Sequence, residues 1–286
     1  MSLTTIGLFG NPDKAEIAGA VARVVARCRR EGLATVAQQD LATLVDAETR
    51  ICSSAELARL ADVIIAFGGD GTMLRAARSL DDSRTPLLGI NLGALGYLTD
   101  VPLSELDEAL DRLLAGDYTP TPRARVEGVV HRAGQDVASC QALNDIVVNM
   151  GSLPRALHME VRLDSVTLGL FLGDGLIVST PTGSTAYNLS ANGPIVSPTL
   201  PVIVVTPICP HALSQRPIVV PDSSMVEVTL VTDEEEVYLT LDGQEGTAMR
   251  AGDTVSVNRS TTVVRLVRVA DRTFYDNLRD KLHWGE

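Results

Sequence analysis

Four stretches of this 286-residue sequence combine residue types suited to phosphate and sugar chemistry. The first is Phe67-Gly68-Gly69-Asp70-Gly71-Thr72. Its glycines let backbone N–H groups approach a phosphate closely, and a helix starting here favours an anion. Asp70 is the unexpected member. A carboxylate in a phosphate loop repels its ligand unless it meets a metal or takes up a proton. A general base or an Mg²⁺-linked group fits that position. The structural alternative is a tight turn with an aspartate helix cap.

The second stretch, Asn91-Leu92-Gly93-Ala94-Leu95-Gly96-Tyr97, follows the next predicted strand. It falls at the sheet edge where open α/β sheets bind ligands, and it also suits a plain turn. The third is Asn144-Asp145, an amide beside a carboxylate. That pair suits a ribose diol or an adenine edge, and equally a surface Asx turn. The fourth runs from Asp174 to Ser190 and gathers hydroxyls around Pro181 and Gly183, with Tyr187 as a ring able to stack on a base. Residues 175 to 215 contain no Asp, Glu, Lys or Arg, which points to a buried or ligand-facing wall. A Ser/Thr-rich loop is the plainer alternative. Asp174, Asp242 and Gln244 would then be polar anchors for a ligand amide or sugar.

Other chemistries lack their signatures. No G-x-x-x-x-G-K-[ST] excludes a P-loop kinase, and no G-x-G-x-x-G opens the first helix. Gly183-Ser184-Thr185 is not a nucleophile elbow. His131, His158, His211 and His283 show no metal-ligand spacing.

The positioning elements follow from periodicity. Thr5 to Phe9, Asp62 to Phe67 and Pro86 to Ile90 read as buried strands. Ile17 to Cys28, Met73 to Leu80 and Ser104 to Ala115 show helical spacing, and Ser53 with Glu56 forms a capping-box pattern. Strands separated by helices predict a parallel α/β sheet over residues 1–121. Beyond Thr119-Pro120-Thr121-Pro122 strands dominate, giving a β-rich second domain over 122–269. Residues 272–284 return to helical spacing and need a cover, which predicts that a C-terminal helix within 270–286 packs back on the first domain.

Hydrophobic residues make up 45% of the chain and aromatics 3%, so the core is aliphatic and wholesale disorder is excluded. A net charge of −12 makes duplex DNA and anionic membranes poor partners. Six prolines within 175–215 argue against a membrane span there. Cys28, Cys52, Cys140 and Cys209 form no C-x-x-C pair and no signal peptide is apparent, so the expected location is the cytoplasm.

Taken together, G-G-D-G-T (68–72), N-L-G-A-L-G-Y-L (91–98), A-L-N-D-I (142–146), D-G-L-I-V-S-T-P-T-G-S-T-A-Y (174–187) and L-D-G-Q (241–244) strongly resemble bacterial NAD kinases. The resemblance implies a Rossmann-like N-terminal domain and a β-sandwich-like C-terminal domain. It implies transfer of the γ-phosphate of ATP, or of polyphosphate, to the 2′-hydroxyl of the adenosine ribose of NAD, with Mg²⁺ or another divalent metal. It makes Asp70 the proton acceptor in a phosphate loop of Gly68, Gly69, Gly71 and Thr72. Gly71 and Arg75 would flank the phosphates, and Asn144 and Asp145 would hold ribose hydroxyls or adenine. Arg155, Asp174 and Gln244 would complete the NAD pocket. Thr185, Ala186, Tyr187, Asn188, Leu189 and Ser190 would wrap the adenosine part. A homodimer or homotetramer is implied as well. Asp145 stands where Glu is usual, Asn192 replaces a Gly, Leu172 stands where some members place Arg, and Leu92 occupies a position often basic. Two other readings share parts of this pattern: a lipid kinase of the diacylglycerol or sphingosine type, which also uses G-G-D-G, and a dinucleotide-binding regulator without turnover.

Overall fold

The computed structural model describes residues 3–80, 84–93, 96–151, 156–232, 236–269 and 272–284. Two compact units emerge, one of Met1–Pro122 with Val264–Glu286, the other Arg123–Val263.

The first unit begins with β1 (Thr5–Gly10), α1 (Ile17–Arg30), β2 (Ala34–Gln38), β3 (Arg50–Cys52) and α2 (Ser54–Leu60). It continues with β4 (Val63–Phe67), α3 (Asp70–Ser79), β5 (Leu87–Asn91), β6 (Val101–Pro102) and α4 (Leu106–Ala115). The central strands run parallel in the order β5-β4-β1-β2-β3. The order reverses between β1 and β4, the point where doubly wound sheets place ligands. Buried aliphatic runs explain the strands: Val63, Ile64, Ile65, Ala66 and Phe67 of β4 are all buried. The helix α1 buries Ile17, Ala20, Val21, Val24, Val25 and Cys28 on one face against the sheet. The Ser53–Glu56 capping box forms at α2 as expected.

Three local differences from the periodicity matter. The helix expected over Met73 to Leu80 starts at Asp70, because Gly69 takes the N-cap and Thr72 and Met73 donate to its carbonyl. The helix expected from Ser104 begins as a 3₁₀ turn over Leu103–Glu105. The short, partly polar strands β2 and β3 carried too little pattern to be anticipated.

The second unit continues with β7 (Thr119–Arg132), β8 (Gln135–Ala142), β9 (Asp145–Met150), β10 (Leu157–Leu163), β11 (Val166–Gly173) and β12 (Gly175–Ser179). The short helix α5 (Tyr187–Ser190) and strands β13 (Val202–Ile208), β14 (Ile218–Pro221), β15 (Val226–Leu230), β16 (Val237–Leu241), β17 (Glu245–Met249) and β18 (Thr254–Arg268) follow. One sheet has the order β14-β13-β12-β9-β16-β17. The other contains β11, β10, β15 and β18 in sequence, with β7 and β8 paired beside β18. Inward side chains of both sheets meet in one aliphatic core that includes Val148, Leu176, Val178, Val228, Leu239 and Val257. Two antiparallel faces closing on such a core make a sandwich. The chain ends in α6 (Phe274–Leu282), within the first unit, opened by a capping box between Thr273 and Asp276.

Candidate active site

In the α/β unit, the loops after β4 and β5 lie side by side because the two strands are parallel neighbours, with Phe67 opposite Ile90. Gly68 donates its N–H to the carbonyl of Ile90 at 2.9 Å, which ties the two strand ends together. Asp70 occupies the first turn of α3. Its Oδ2 accepts the N–H of Tyr97 at 2.8 Å and its Oδ1 that of Leu98 at 3.0 Å, with the Thr99 hydroxyl at 3.5 Å. Thr99 is itself held by the Asn91 amide at 2.8 Å. A Cβ on Gly96 would stand 1.8 Å from Asp70 Oδ1, so only glycine permits this approach. The second loop, ambiguous in sequence, is thus the clamp on Asp70. Gly71 is exposed, Gly69 and Thr72 are half-buried and Gly68 is buried. Arg75 donates from Nη2 to the carbonyl of Gly10 at 2.9 Å and stacks its guanidinium 5.3 Å from the Phe9 ring centre. It ties α3 to the end of β1, a role the sequence did not show.

In the β-rich unit, the Asn144-Asp145 pair is buried at the start of β9 rather than in a surface turn. Its shape comes from the β16–β17 hairpin, where Asp242 and Gly243 have φ values of 49° and 64° and Gln244 N–H returns to the Leu241 carbonyl at 2.9 Å. Asp-Gly suits such a turn. The Asp242 carboxylate accepts the N–H groups of Leu143, Asn144 and Asp145 at 3.1, 2.7 and 3.2 Å. The Asp242 carboxylate, expected from sequence as a ligand anchor, thus braces the backbone of 143–145. The same turn is braced from the other side. Thr180 N–H and Ser179 Oγ donate to the Asn144 carbonyl, and Thr180 Oγ1 donates to that of Leu143. Gly183 packs so tightly that a Cβ there would lie 2.1 Å from the Asn144 oxygen.

Asp145 Oδ2 is buried without a hydrogen-bond partner among the described residues. Burial first, and the nearby Asp242 charge second, push the Asp145 carboxyl up to about 7. Tyr187 is 42% exposed, and its phenol is raised by partial burial and then by Cys209, Asp174 and Asp145. Those charges lie near enough to act on the Tyr187 phenol. The Cys209 thiol hydrogen-bonds Asp174, which raises it, and the Asp174 charge raises it further. Ser190 and Gln244 are exposed, and Ala186 and Leu189 half-buried. Thr185 turns inward and donates to the Thr182 carbonyl at 3.3 Å. Asn188 corrects the expectation most clearly: fully buried, it donates to the carbonyls of Ser184 and Pro194 and accepts from Thr206 Oγ1. Those bonds use its amide to build the turn. Asn192 takes the left-handed conformation at φ 63°, as a glycine substitute should. Arg155 lies outside the described residues.

No helix among the described residues is long and apolar enough to cross a membrane.

Comparison with known proteins adds to this geometry. Residues 6–118 match the ATP-NAD kinase N-terminal domain and residues 143–269 the ATP-NAD kinase C-terminal domain. An NAD kinase of Geobacter sulfurreducens is 42% identical over 281 residues, covering 98% of this chain and 99% of that protein. An NAD kinase of Moorella thermoacetica is 51% identical over 225 residues, covering 79% of this chain and 72% of that protein. Among solved structures, yeast NADH kinase complexed with NADH superposes with a TM-score of 0.90 at 25% identity, covering all of this chain and 89% of that one. An NAD kinase from Archaeoglobus fulgidus in complex with ATP gives 0.75 at 25% identity, covering 98% of this chain and 99% of that one. The matches favour neither the lipid kinase nor the non-catalytic regulator. With both domains matched in order along nearly its full length, this chain belongs to the ATP-NAD kinase family.

Proposed function

We propose that this chain transfers the γ-phosphate of ATP, or of polyphosphate in its place, to the 2′-hydroxyl of the adenosine ribose of NAD, forming NADP. The observation that carries the reading is Asp70: a carboxylate at the start of a helix behind a glycine loop, its two oxygens oriented by the N–H groups of Tyr97 and Leu98. An ionised carboxylate offers about four acceptor directions, so acceptor capacity is left for a substrate hydroxyl. Asp70 takes the hydroxyl proton as the bond from the ribose 2′-oxygen to the transferred phosphorus forms, while the bond from that phosphorus to its bridging oxygen breaks and ADP, or the shortened polyphosphate, leaves with the electron pair. In phosphoryl transfer, positioning and charge neutralisation lower most of the barrier. The N-terminus of α3 and the glycines 68, 69 and 71 with Thr72 favour the phosphates.

In the β-rich unit, Asn144 and Asp145 hold ribose hydroxyls or adenine. The partnerless Asp145 Oδ2 supports this, since a buried carboxyl oxygen gains from a ligand hydroxyl. Asp174, Gln244, Arg155 and residues 185–190 are the further NAD contacts we propose, with Asn188 acting through the turn it builds. ATP enters with Mg²⁺ or another divalent cation. Among the described residues no group of three His, Cys, Asp or Glu side chains gathers to hold a metal alone. The cation arrives with the nucleotide, where it offsets phosphate charge. The four free thiols support a cytoplasmic setting. The outward Val166, Leu168 and Leu170 of β11 support assembly into dimers or tetramers.

The test is NADP formation from NAD and Mg-ATP by purified protein, read through an NADP-specific dehydrogenase. Formation of NADP is expected. NAD binding without NADP formation, with ATP and with polyphosphate, would overturn the kinase reading in favour of a binder.

A further inference from the structure

The C-terminal helix α6 does more than close the hydrophobic core. Its apolar contribution to the interior is Leu278. Beside it sits Asn277, 2% exposed, a polar residue where packing alone would place an aliphatic one. Asn277 Nδ2 donates to Asp100 Oδ1 at 2.7 Å, and Asp100 Oδ2 receives Arg268 Nε at 3.2 Å. Since a carboxylate only accepts, the amide orientation is set by its partner. One helical turn on, Lys281 places its ammonium 4.2 Å from the centre of the Tyr97 ring. Residues i and i+4 share a helix face, so Asn277 and Lys281 reach the same segment, 97–100, from one side. The same segment's Tyr97 and Leu98 N–H groups grip the two oxygens of Asp70.

We infer that α6 is a positioning element for Asp70: Asn277 and Lys281 hold the 97–100 segment in the shape that aims the carboxylate. The inference rests on the reading of Asp70 as the proton acceptor, and it assigns the chain's last helix a part in turnover. Each side chain acts through the loop, by its contact to Asp100 or to Tyr97. The physical reason to expect a measurable effect is the steep dependence of catalysis on placement, where a displacement of about 1 Å costs roughly 100-fold.

The experiment compares Asn277→Ala, Lys281→Ala and Lys281→Arg with the unaltered chain. It reads kcat, both KM values, NAD affinity by calorimetry, and hydrogen exchange at the Tyr97 and Leu98 amides. Asn277→Ala is expected to lower kcat about tenfold with KM for NAD within about twofold. Lys281→Ala is expected to lower kcat about threefold, and Lys281→Arg to restore it, because a guanidinium also stacks on a tyrosine ring. In each weakened variant the Tyr97 and Leu98 amides exchange faster. A purely structural role would instead lower thermal stability with kcat per folded molecule unchanged. Wild-type kcat and wild-type exchange in Asn277→Ala, or no recovery in Lys281→Arg, overturns the inference. If the unaltered chain forms no NADP, the functional reading fails on its own. The exchange data then still decide whether α6 holds the loop: unchanged exchange overturns that link, and faster exchange upholds it. If Asn277→Ala does not fold, the Lys281 pair, on a half-buried side chain, carries the test.

Discussion

Asp70 and Asp145 are the same residue type in opposite surroundings. Asp70 is half-buried, and its two oxygens receive N–H groups from a neighbouring loop. Asp145 is nine-tenths or more buried, has one oxygen without a partner among the described residues, and lies near the Asp242 charge. The α/β unit spends backbone donors on orienting its carboxylate. The β-rich unit spends them on Asp242, which takes the N–H of Asp145 itself and leaves the Asp145 carboxyl to seek a partner. One arrangement fixes the orientation of the carboxylate proposed as proton acceptor, and the other leaves a carboxyl that at neutral pH can donate as well as accept. Donor supply, not residue identity, separates the two roles.

The contrast can be broken in four places. The largest expected effect is at Asp70. Asp70→Asn keeps shape and the N–H bond to one oxygen but loses the proton acceptor, so kcat should fall about 10²–10⁴-fold with NAD affinity retained. Calorimetry and the NADP assay check it; turnover near wild type would remove Asp70 from the base role.

Asp145 comes next, through pH. Its carboxyl is raised from 3.8 to about 7 in the folded protein, so the folded state binds a proton more tightly than the unfolded chain. Its contribution to stability is complete below about pH 4 and is lost as pH rises through 7. Against Asp145→Asn, which does not titrate there, ligand-free protein should lose about 1.4 kcal/mol per pH unit between those limits. Parallel unfolding free energies from pH 4 to 8 would show the carboxyl to be ordinary. Asp242 is the titratable group acting on it.

Gly183→Ala forces a Cβ to within 2.1 Å of the Asn144 carbonyl. The turn must shift, at about 1–3 kcal/mol of stability, with weaker NAD binding. Denaturant unfolding checks it, and an alanine accepted without loss would show the turn to be slack. The smallest effect is expected at Tyr187→Ala. Loss of one stacking ring should weaken NAD binding by about 1 kcal/mol, roughly fivefold, with kcat little changed. Unchanged affinity would take Tyr187 out of the pocket.

Much of the fold was legible because its signals are local. The buried run 63–67 ending in glycines, the Ser53–Glu56 box and the amphipathic spacing of α1 are complete within a dozen residues. Strand β11 was not legible, because Val166, Leu168 and Leu170 point outward and invert the pattern that announces a half-buried strand. The site divides along the same line. Gly68-Gly69-Asp70-Gly71 and the hydroxyl-rich 174–190 stretch announce phosphate and sugar chemistry by composition. The clamp on Asp70 comes from residues 27 and 28 positions away, and the Asp242 bonds span 97 to 99 positions.

The sequence by itself determined which side chains are present, where the strongly patterned helices and strands lie, and the chemistry that a carboxylate in a glycine loop can perform. Only the tertiary structure decided which carboxylates are gripped by backbone N–H groups and which keep an oxygen without a partner among the described residues. Asp242 reads as an anchor and is a brace; Asn188 reads as a contact and is buried framing; Asn277 reads as a helix residue and reaches toward the Asp70 loop through Asp100. A hydrogen bond is satisfied by whatever donor the fold brings within about 3 Å, and chain separation carries no information about that distance.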